Sequence, residues 1–136
     1  MTLQRMDNVL IVVDNLEMEL QGEISVEGRS VDLLVGLENV RCEIATMRTP
    51  DGHGRIELGK FHTPAVIRSE PKNTSVNTLG LHRIMFAVDD IENVLARLRS
   101  HGAELVGEVT QYEDMYRLCY IRGPEGIIVA LAQQLK

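Results

Sequence analysis

Several residue types that mark particular protein classes are scarce in this sequence. Its 136 residues include two cysteines, too few for a disulfide framework and too far apart for a zinc knuckle. There is no tryptophan, and three Tyr and two Phe offer little surface for stacking large flat ligands. Basic runs are also absent, and twenty acidic against fourteen basic residues give a net charge of −6. This balance argues against a nucleic-acid partner.

Long apolar runs are missing as well. The longest, Val9–Val13, is too short to cross a bilayer, and the first ten residues lack the apolar stretch of a signal peptide. We therefore expect a soluble, cytoplasmic protein with no membrane partner. A composition of 44% hydrophobic and 25% charged residues is typical of a globular chain. Both Cys42 and Cys119 lie in alternating runs, which predicts buried thiols.

The sequence contains an internal repeat. Residues 6–17 (MDNVLIVVDNLE) align without a gap on residues 81–92 (LHRIMFAVDDIE), at an offset of 75. Three of the aligned positions are identical, and apolar residues face apolar residues at six more. Residues 18–23 (MELQGE) then match residues 103–108 (AELVGE) at an offset of 85, so ten residues occur only in the second copy. The duplication predicts two modules of related structure.

The ten unmatched residues, 93–102 (NVLARLRSHG), belong to a predicted helix. Four apolar residues recur at the spacing of one helix face: Ile91, Val94, Leu95 and Leu98. Asp89 and Glu92 form a capping-box pattern at its start, and Gly102 suits a left-handed C-terminal cap. The first copy keeps an equivalent start signal but continues directly into MELQGE. The first module is therefore predicted to lack its helix.

The rest of the pattern predicts strands separated by turn residues. The predicted strands are Val9–Val13, Glu19–Val26, Val40–Met47, Arg55–Leu58, Ile84–Val88, Glu104–Val109, Met115–Ile121 and Ile127–Leu131. The segment VDLLV is compatible with a short helical turn, and residues 62–80 have linker composition. These elements predict an α+β fold with two tandem βαβββ modules, residues 1–61 and 81–136.

A duplicated βαβββ unit carrying MDNVLIVVDNLE, GLHRIMFAVDDIE, TPDGHGRIEL and RGPEGIIVAL resembles the vicinal oxygen chelate superfamily. This superfamily includes glyoxalase I, bleomycin and fosfomycin resistance proteins, methylmalonyl-CoA epimerase and extradiol dioxygenases. The resemblance covers nearly the whole chain, and it implies that the two modules form a cupped mixed sheet. Members that use a metal place four ligands inside the cup, usually His, Glu or Gln.

The four ligand positions of that superfamily fall on Asn8, Glu57, Arg83 and Ala130 of this sequence. Only Glu57 is a usual metal ligand, whereas Arg83 brings a permanent positive charge and Ala130 brings no donor atom. The resemblance therefore implies a cup without a catalytic metal or other cofactor. His82 is the alternative ligand if the register shifts by one residue, because neighbouring strand residues point to opposite faces.

The same positions can bind a small molecule instead. Arg83 can hold a carboxylate or phosphate by its bidentate fork, while Glu57 can accept a proton as a general base. Tyr112, Tyr116 and Tyr120 recur at a spacing of four, which predicts that they share one face of a strand. The expected ligand-binding residues are Asn8, Glu57, Arg83 and Tyr116. A salt bridge between Glu57 and Arg83 that ties the modules together is the structural alternative.

Three functions stay open at this point. The first is a metal-independent protein that binds a small anionic or oxygen-rich molecule. The second is a metal-dependent enzyme, either a lyase of the lactoylglutathione-lyase type or a dioxygenase. The third is a degenerate module kept for assembly.

The short first module also bears on assembly. A βαβ crossover needs about a dozen residues, and the first copy has too few. We therefore expect Val9–Val13 and Glu19–Val26 to form either a tight antiparallel hairpin or one extended strand. Since superfamily members often pair modules between chains, we expect a homodimer, with exchange of the first strand as one route to it.

Overall fold

The structure is a computed structural model that describes residues 2–14, 23–68 and 73–135. The chain divides into two compact units, Met1–Arg68 and Ser69–Lys136. The boundary between them falls inside the segment 62–80, which has the composition of a linker. Each unit contains one mixed β-sheet, so the predicted α+β class with two tandem modules is confirmed.

The first unit is a four-stranded sheet in the part of the chain that the structure describes. Its elements are β1 (Val9–Val12), β2 (Glu23–Glu27), α1 (Arg29–Val35), β3 (Arg41–Arg48) and β4 (Arg55–Thr63). The strand order is β1-β4-β3-β2, with β1 parallel to β4 and the other neighbours antiparallel. The helical turn predicted for VDLLV is confirmed as α1, which ends at Gly36 in the left-handed conformation.

This order corrects the expected link between the first two strands. β1 and β2 lie at opposite edges of the sheet and run in the same direction, so neither an antiparallel hairpin nor one extended strand forms.

Two other expectations for the first module stay predictions. The missing helix falls on residues 15–22, which lie outside the described residues. Exchange of the first strand needs a second chain, and within this single chain β1 pairs with β4.

The second unit repeats the same strand order. Its described elements are β5 (Arg83–Val88), α2 (Ile91–Ser100), β6 (Glu104–Leu105), β7 (Thr110–Tyr112), β8 (Tyr116–Arg122), a 3-10 turn (Pro124–Gly126) and β9 (Ile128–Gln134). The order is β5-β9-β8-β6, and β7 pairs with β8 beyond this path. β5 is parallel to β9, as β1 is to β4 in the first unit. The sequence repeat is therefore also a structural repeat.

Helix α2 packs on one face of the second sheet, as its apolar spacing predicts. Ile91 and Leu95 are buried against a cluster that includes Cys119, Ile121 and Leu131, with Val94 and Leu98 packed at its margin. The predicted cap is wrong by one residue. Asp90, not Asp89, is the N-cap, and its side chain accepts a hydrogen bond of 3.2 Å from the Asn93 amide. The Asp90 backbone is extended, with φ −141° and ψ 97°, as an N-cap requires.

Alternation along the strands gives each sheet a core face and an open face. In the first unit, Val13, Ala45 and Leu58 are buried on the core face, whereas Leu10 on the opposite face is 44% exposed. In the second unit, the face opposite α2 carries Met85, which is 43% exposed, whereas Ile128 and Ala130 of β9 on the same face are buried.

Candidate functional site

Glu57 lies on the open face of the first sheet. Its neighbours in the pairing register are Leu10 on β1 and Thr46 on β3. The Glu57 side chain is 16% exposed, and its Oε2 forms an ion pair of 3.4 Å with Nη2 of Arg55. Residues two apart on a strand share a face, so alternation in RIEL identifies this partner, which the sequence reasoning missed. Asn8 is exposed and lies one residue before β1.

Arg83 begins β5 on the open face of the second sheet. Its Nη1 donates a hydrogen bond to the Tyr120 hydroxyl, and its guanidinium carbon lies 5.6 Å from the centre of the Tyr120 ring. Both contacts fix the guanidinium, through hydrogen bonding and through the attraction between a cation and an aromatic face. In the described residues, no carboxylate forms an ion pair with Arg83.

The register explains why Tyr120 meets Arg83. Strand β9 lies between β5 and β8, and Arg83 pairs with Ile128 while Tyr120 pairs with Ala130. Arg83 therefore crosses β9 diagonally to reach Tyr120. The Ala130 side chain is one methyl group, so it does not obstruct this crossing.

The other two tyrosines differ in part from the prediction. Tyr112 lies on β7 and not on the strand of Tyr116 and Tyr120, because residues 113–115 form a turn. Tyr112 and Tyr116 are direct partners across that hairpin, so all three tyrosines still share one side of the sheet. Tyr116 is half-buried and Tyr112 is exposed.

The histidines have other partners. His82 precedes β5, and its Nε2 donates to the carbonyl oxygen of Ser75 at 2.7 Å. His62 lies within β4, which extends to Thr63, and its Nε2 is 2.9 Å from Oε1 of Glu43. His62 is therefore a strand residue and not the first residue of a linker.

The donor chemistry does not fit the metal centre that the superfamily's metal-using members contain. Glu57 is bonded to a guanidinium, Arg83 is cationic, and buried Ala130 has no donor. Within the described ranges, no three His, Cys, Asp or Glu side chains lie close enough together to hold one ion.

Both cysteines are buried and free, as predicted. Burial raises the pKa of the Cys42 thiol and that of the Cys119 thiol, because the thiolate loses its hydration. Cys119 belongs to the core beneath α2. The thiols are therefore packing groups rather than nucleophiles.

The repeated strand order defines a duplicated α+β protein built from two mixed-sheet modules. The chain belongs to the Glyoxalase/Bleomycin resistance protein/Dioxygenase superfamily, whose family profile matches residues 8–131. No curated protein sequence matches the chain. In the described residues, no helix is long and apolar enough to cross a membrane.

Solved structures resemble the chain over nearly its whole length. A glyoxalase family protein from Bacillus cereus is 50% identical, with a TM-score of 0.91, and the match covers 98% of this chain and 96% of that one. A fosfomycin resistance protein from Listeria monocytogenes is 11% identical, with a TM-score of 0.57 and coverage of 97% and 91%. An antibiotic binding protein from a Streptomyces species is 14% identical, with a TM-score of 0.52 and coverage of 98% of both chains. The last two similarities concern the fold alone.

Proposed function

We propose that the protein binds a small anionic or oxygen-rich molecule on the open faces of its sheets, without a catalytic metal. The observation that carries this proposal is the Arg83 guanidinium, which Tyr120 orients on an open face and which has no carboxylate partner among the described residues. A cation fixed in this way is prepared for an anion, because little side-chain entropy remains to be lost on binding.

Arg83 keeps most of its hydrogen-bonding capacity. A guanidinium has five N–H donors, and one of its nitrogens is engaged by the Tyr120 hydroxyl. The remaining donors can form the parallel pair of bonds that a carboxylate or phosphate accepts. Met85, on the same face, supplies partly exposed apolar surface for the rest of the ligand, and Tyr116 adds a hydroxyl at the far end of β8.

Asn8 and Glu57 are the proposed ligand contacts of the first unit. Arg55 holds the Glu57 carboxylate on the open face, where it can accept a hydrogen bond from a ligand. If the protein catalyses a reaction, Glu57 is the candidate general base, since it is the carboxylate among the four superfamily positions.

The competing function is a metal-dependent lyase or dioxygenase of the glyoxalase type. The donor set is against it, because Arg83 is cationic and Ala130 has no donor atom, so Glu57 is the one usual metal ligand among the four superfamily positions. Elemental analysis of protein purified without chelator separates the two functions. Less than about 0.1 equivalent of transition metal is expected, and a stoichiometric metal would favour the enzyme.

A thermal-shift screen of small carboxylates, phosphates and phosphonates tests the binding proposal. Compounds that raise the Tm of the wild-type protein should fail to stabilise Arg83→Gln. Arg99→Gln is the matched control, since it removes an exposed arginine from α2 and should leave every hit intact. Compounds that raise the Tm of Arg83→Gln as much as that of Arg99→Gln would contradict the role of Arg83.

A homodimer in the cytoplasm is the proposed setting. Helix α1 exposes Leu33 and Leu34 and has no buried residue, so a second copy that covered these leucines would remove apolar surface from water. Light scattering at micromolar concentration tests this, and the mass of a monomer would contradict it. Exchange of β1 is tested by a disulfide introduced between β1 and β4, which would link two chains only in an exchanged dimer.

A further inference from the structure

The first unit contains a second cationic feature, separate from the Arg83 face. A cavity of about 250 Å³ lies where the β3–β4 hairpin meets the segment before β1. Its lining residues are Arg5, Met6, Asp7, Arg48, Gly52, His53 and Arg55. Pockets for drug-sized ligands measure about 300–1,000 Å³, so this cavity suits a smaller group.

Two of its three arginines have unmet binding capacity. Arg5 is neutralised by Asp7, whose Oδ1 lies 2.8 Å from Nε of Arg5, and this hydrogen bond lowers the pKa of Asp7. The Arg48 side chain, in contrast, forms no hydrogen bond or ion pair with any described residue. Arg55 uses Nη2 to bind Glu57, but its Nε is buried without a hydrogen-bond partner.

The pairing register places these two cations side by side. Arg48 and Arg55 are direct partners across β3 and β4, next to the hairpin turn. Like charges directly opposite each other destabilise a sheet, and a buried N–H without an acceptor does so as well. An anion between the two guanidinium groups would remove both penalties at once.

The backbone amides of the turn between β3 and β4 are already hydrogen-bonded, so they are not available as donors to a ligand. The amides of Gly52 and Gly54 bond to Thr49, and the amide of His53 bonds to Asp51. Recognition in the cavity therefore depends on side chains, and His53 is among the lining residues. Asp51 points its Oδ1 at the turn, since it also accepts a hydrogen bond from the Thr49 hydroxyl.

We propose that this cavity binds a phosphate or phosphonate group between Arg48 and Arg55. A phosphate or phosphonate has three oxygens in a tetrahedral arrangement, so it can accept from the unpartnered Arg48 guanidinium and from the free Nε–H of Arg55 at the same time. The Nε of Arg55 and the guanidinium of Arg48 are the donors to its oxygens. This site lies wholly in the first unit, so it does not depend on the proposed role of Arg83.

Inorganic phosphate is the probe, and the arginine Nε–Hε resonances of the ¹⁵N-labelled full chain are the readout. The Arg55 resonance, assigned by its loss in Arg55→Lys, should move downfield and saturate as phosphate is added. Acetate at equal ionic strength should bind at least about tenfold more weakly. A linear response without saturation, no movement of Arg55, or equal affinity for acetate would overturn the proposal.

Variants add a second arm to the experiment. Arg48→Gln should weaken phosphate binding about tenfold or more, which is the loss expected for one charge-assisted contact. Arg97→Gln, an exposed arginine on α2, is the matched control and should bind phosphate like the wild type. Arg83→Gln should also leave the Arg55 response unchanged, so failure of the Arg83 proposal is distinguishable from failure of this one. An affinity for phosphate that is the same in Arg48→Gln as in the wild type would contradict the site. If Arg48→Gln does not fold, the titration of the wild-type protein with phosphate and acetate tests the proposal by itself.

Discussion

Replacing Leu95 by alanine should destabilise the second unit strongly. Leu95 is 5% exposed and packs with Ile91 against the core face of the second sheet. Leucine-to-alanine changes at buried sites cost about 2–5 kcal/mol, through lost burial and the cavity left behind. Because α2 covers the sheet from outside, its neighbours can partly close the gap, and we expect about 2–4 kcal/mol. For a chain of this size, the Tm should fall by roughly 6–20 °C.

The matched control is Leu34→Ala on α1. Leu34 is also a helical leucine, but it is 83% exposed, so its loss should change the free energy of unfolding by less than about 0.5 kcal/mol. Urea unfolding monitored by circular dichroism measures both variants, and unchanged m-values ensure that the midpoints can be compared. If Leu95→Ala cost no more than Leu34→Ala, α2 would not cover the second sheet.

Three further predictions concern single groups. Asp90→Ala should lower the free energy of unfolding by about 0.5–2 kcal/mol, because the helix loses its N-cap. In the same urea titration, Asp89→Ala should lower the free energy of unfolding by less. A larger loss for Asp89→Ala would identify Asp89 as the cap. Because burial raises the pKa of both thiols, a disulfide reagent at pH 8 should modify the native protein at least about tenfold more slowly than the protein in urea, and equal rates would contradict their burial. The hydrogen bond from Thr49 lowers the pKa of Asp51, so the stability it contributes is present above the unfolded pKa of about 4 and is lost as the pH falls through the lower folded value. The urea midpoint of Asp51→Asn should therefore change less between pH 5 and pH 2 than the midpoint of the wild type. Midpoints that change with pH to the same extent in both proteins would contradict this role of Asp51.

Local sequence patterns predicted the features of the fold that depend on the periodicity of apolar residues. The apolar stripe of α2 predicted which of its residues are buried, because side chains three and four residues apart share a helix face. The repeat predicted two related sheets before any pairing was known. The cap was misplaced because Asp89 and Asp90 are adjacent and both can cap, and only the backbone decides between them.

These patterns did not predict which strands pair with each other when the strands are distant in the sequence. No local signal predicts that β1 pairs with β4 rather than β2, since that choice depends on contacts between residues 47 positions apart. Tyr112 was assigned to the wrong strand because the turn at Glu113 contains no Gly or Pro, although Glu113 has a positive φ of 52°.

The candidate site was predicted by face but not by partner. Alternation and resemblance brought Arg83 and the tyrosines to one side of a sheet, as the register has them. Which tyrosine meets Arg83 depends on the offset of β8 against β9, and this favours Tyr120 over Tyr116. The partner of Glu57 is Arg55, two residues away, because alternation places both side chains on one face, but alternation alone does not choose between Arg55 and a more distant arginine such as Arg83.

Calorimetric titration of the best small anion from the thermal-shift screen tests the central claim most directly. If Arg83 binds the ligand and Tyr120 positions it, Arg83→Gln should raise Kd by about 10–150-fold, the range for one lost charge-assisted hydrogen-bonding group. Tyr120→Phe keeps the ring but removes the hydroxyl, and it should raise Kd by a smaller factor, about 2–10-fold. A Kd that is unchanged in Arg83→Gln, in protein with wild-type stability, would contradict the proposed function.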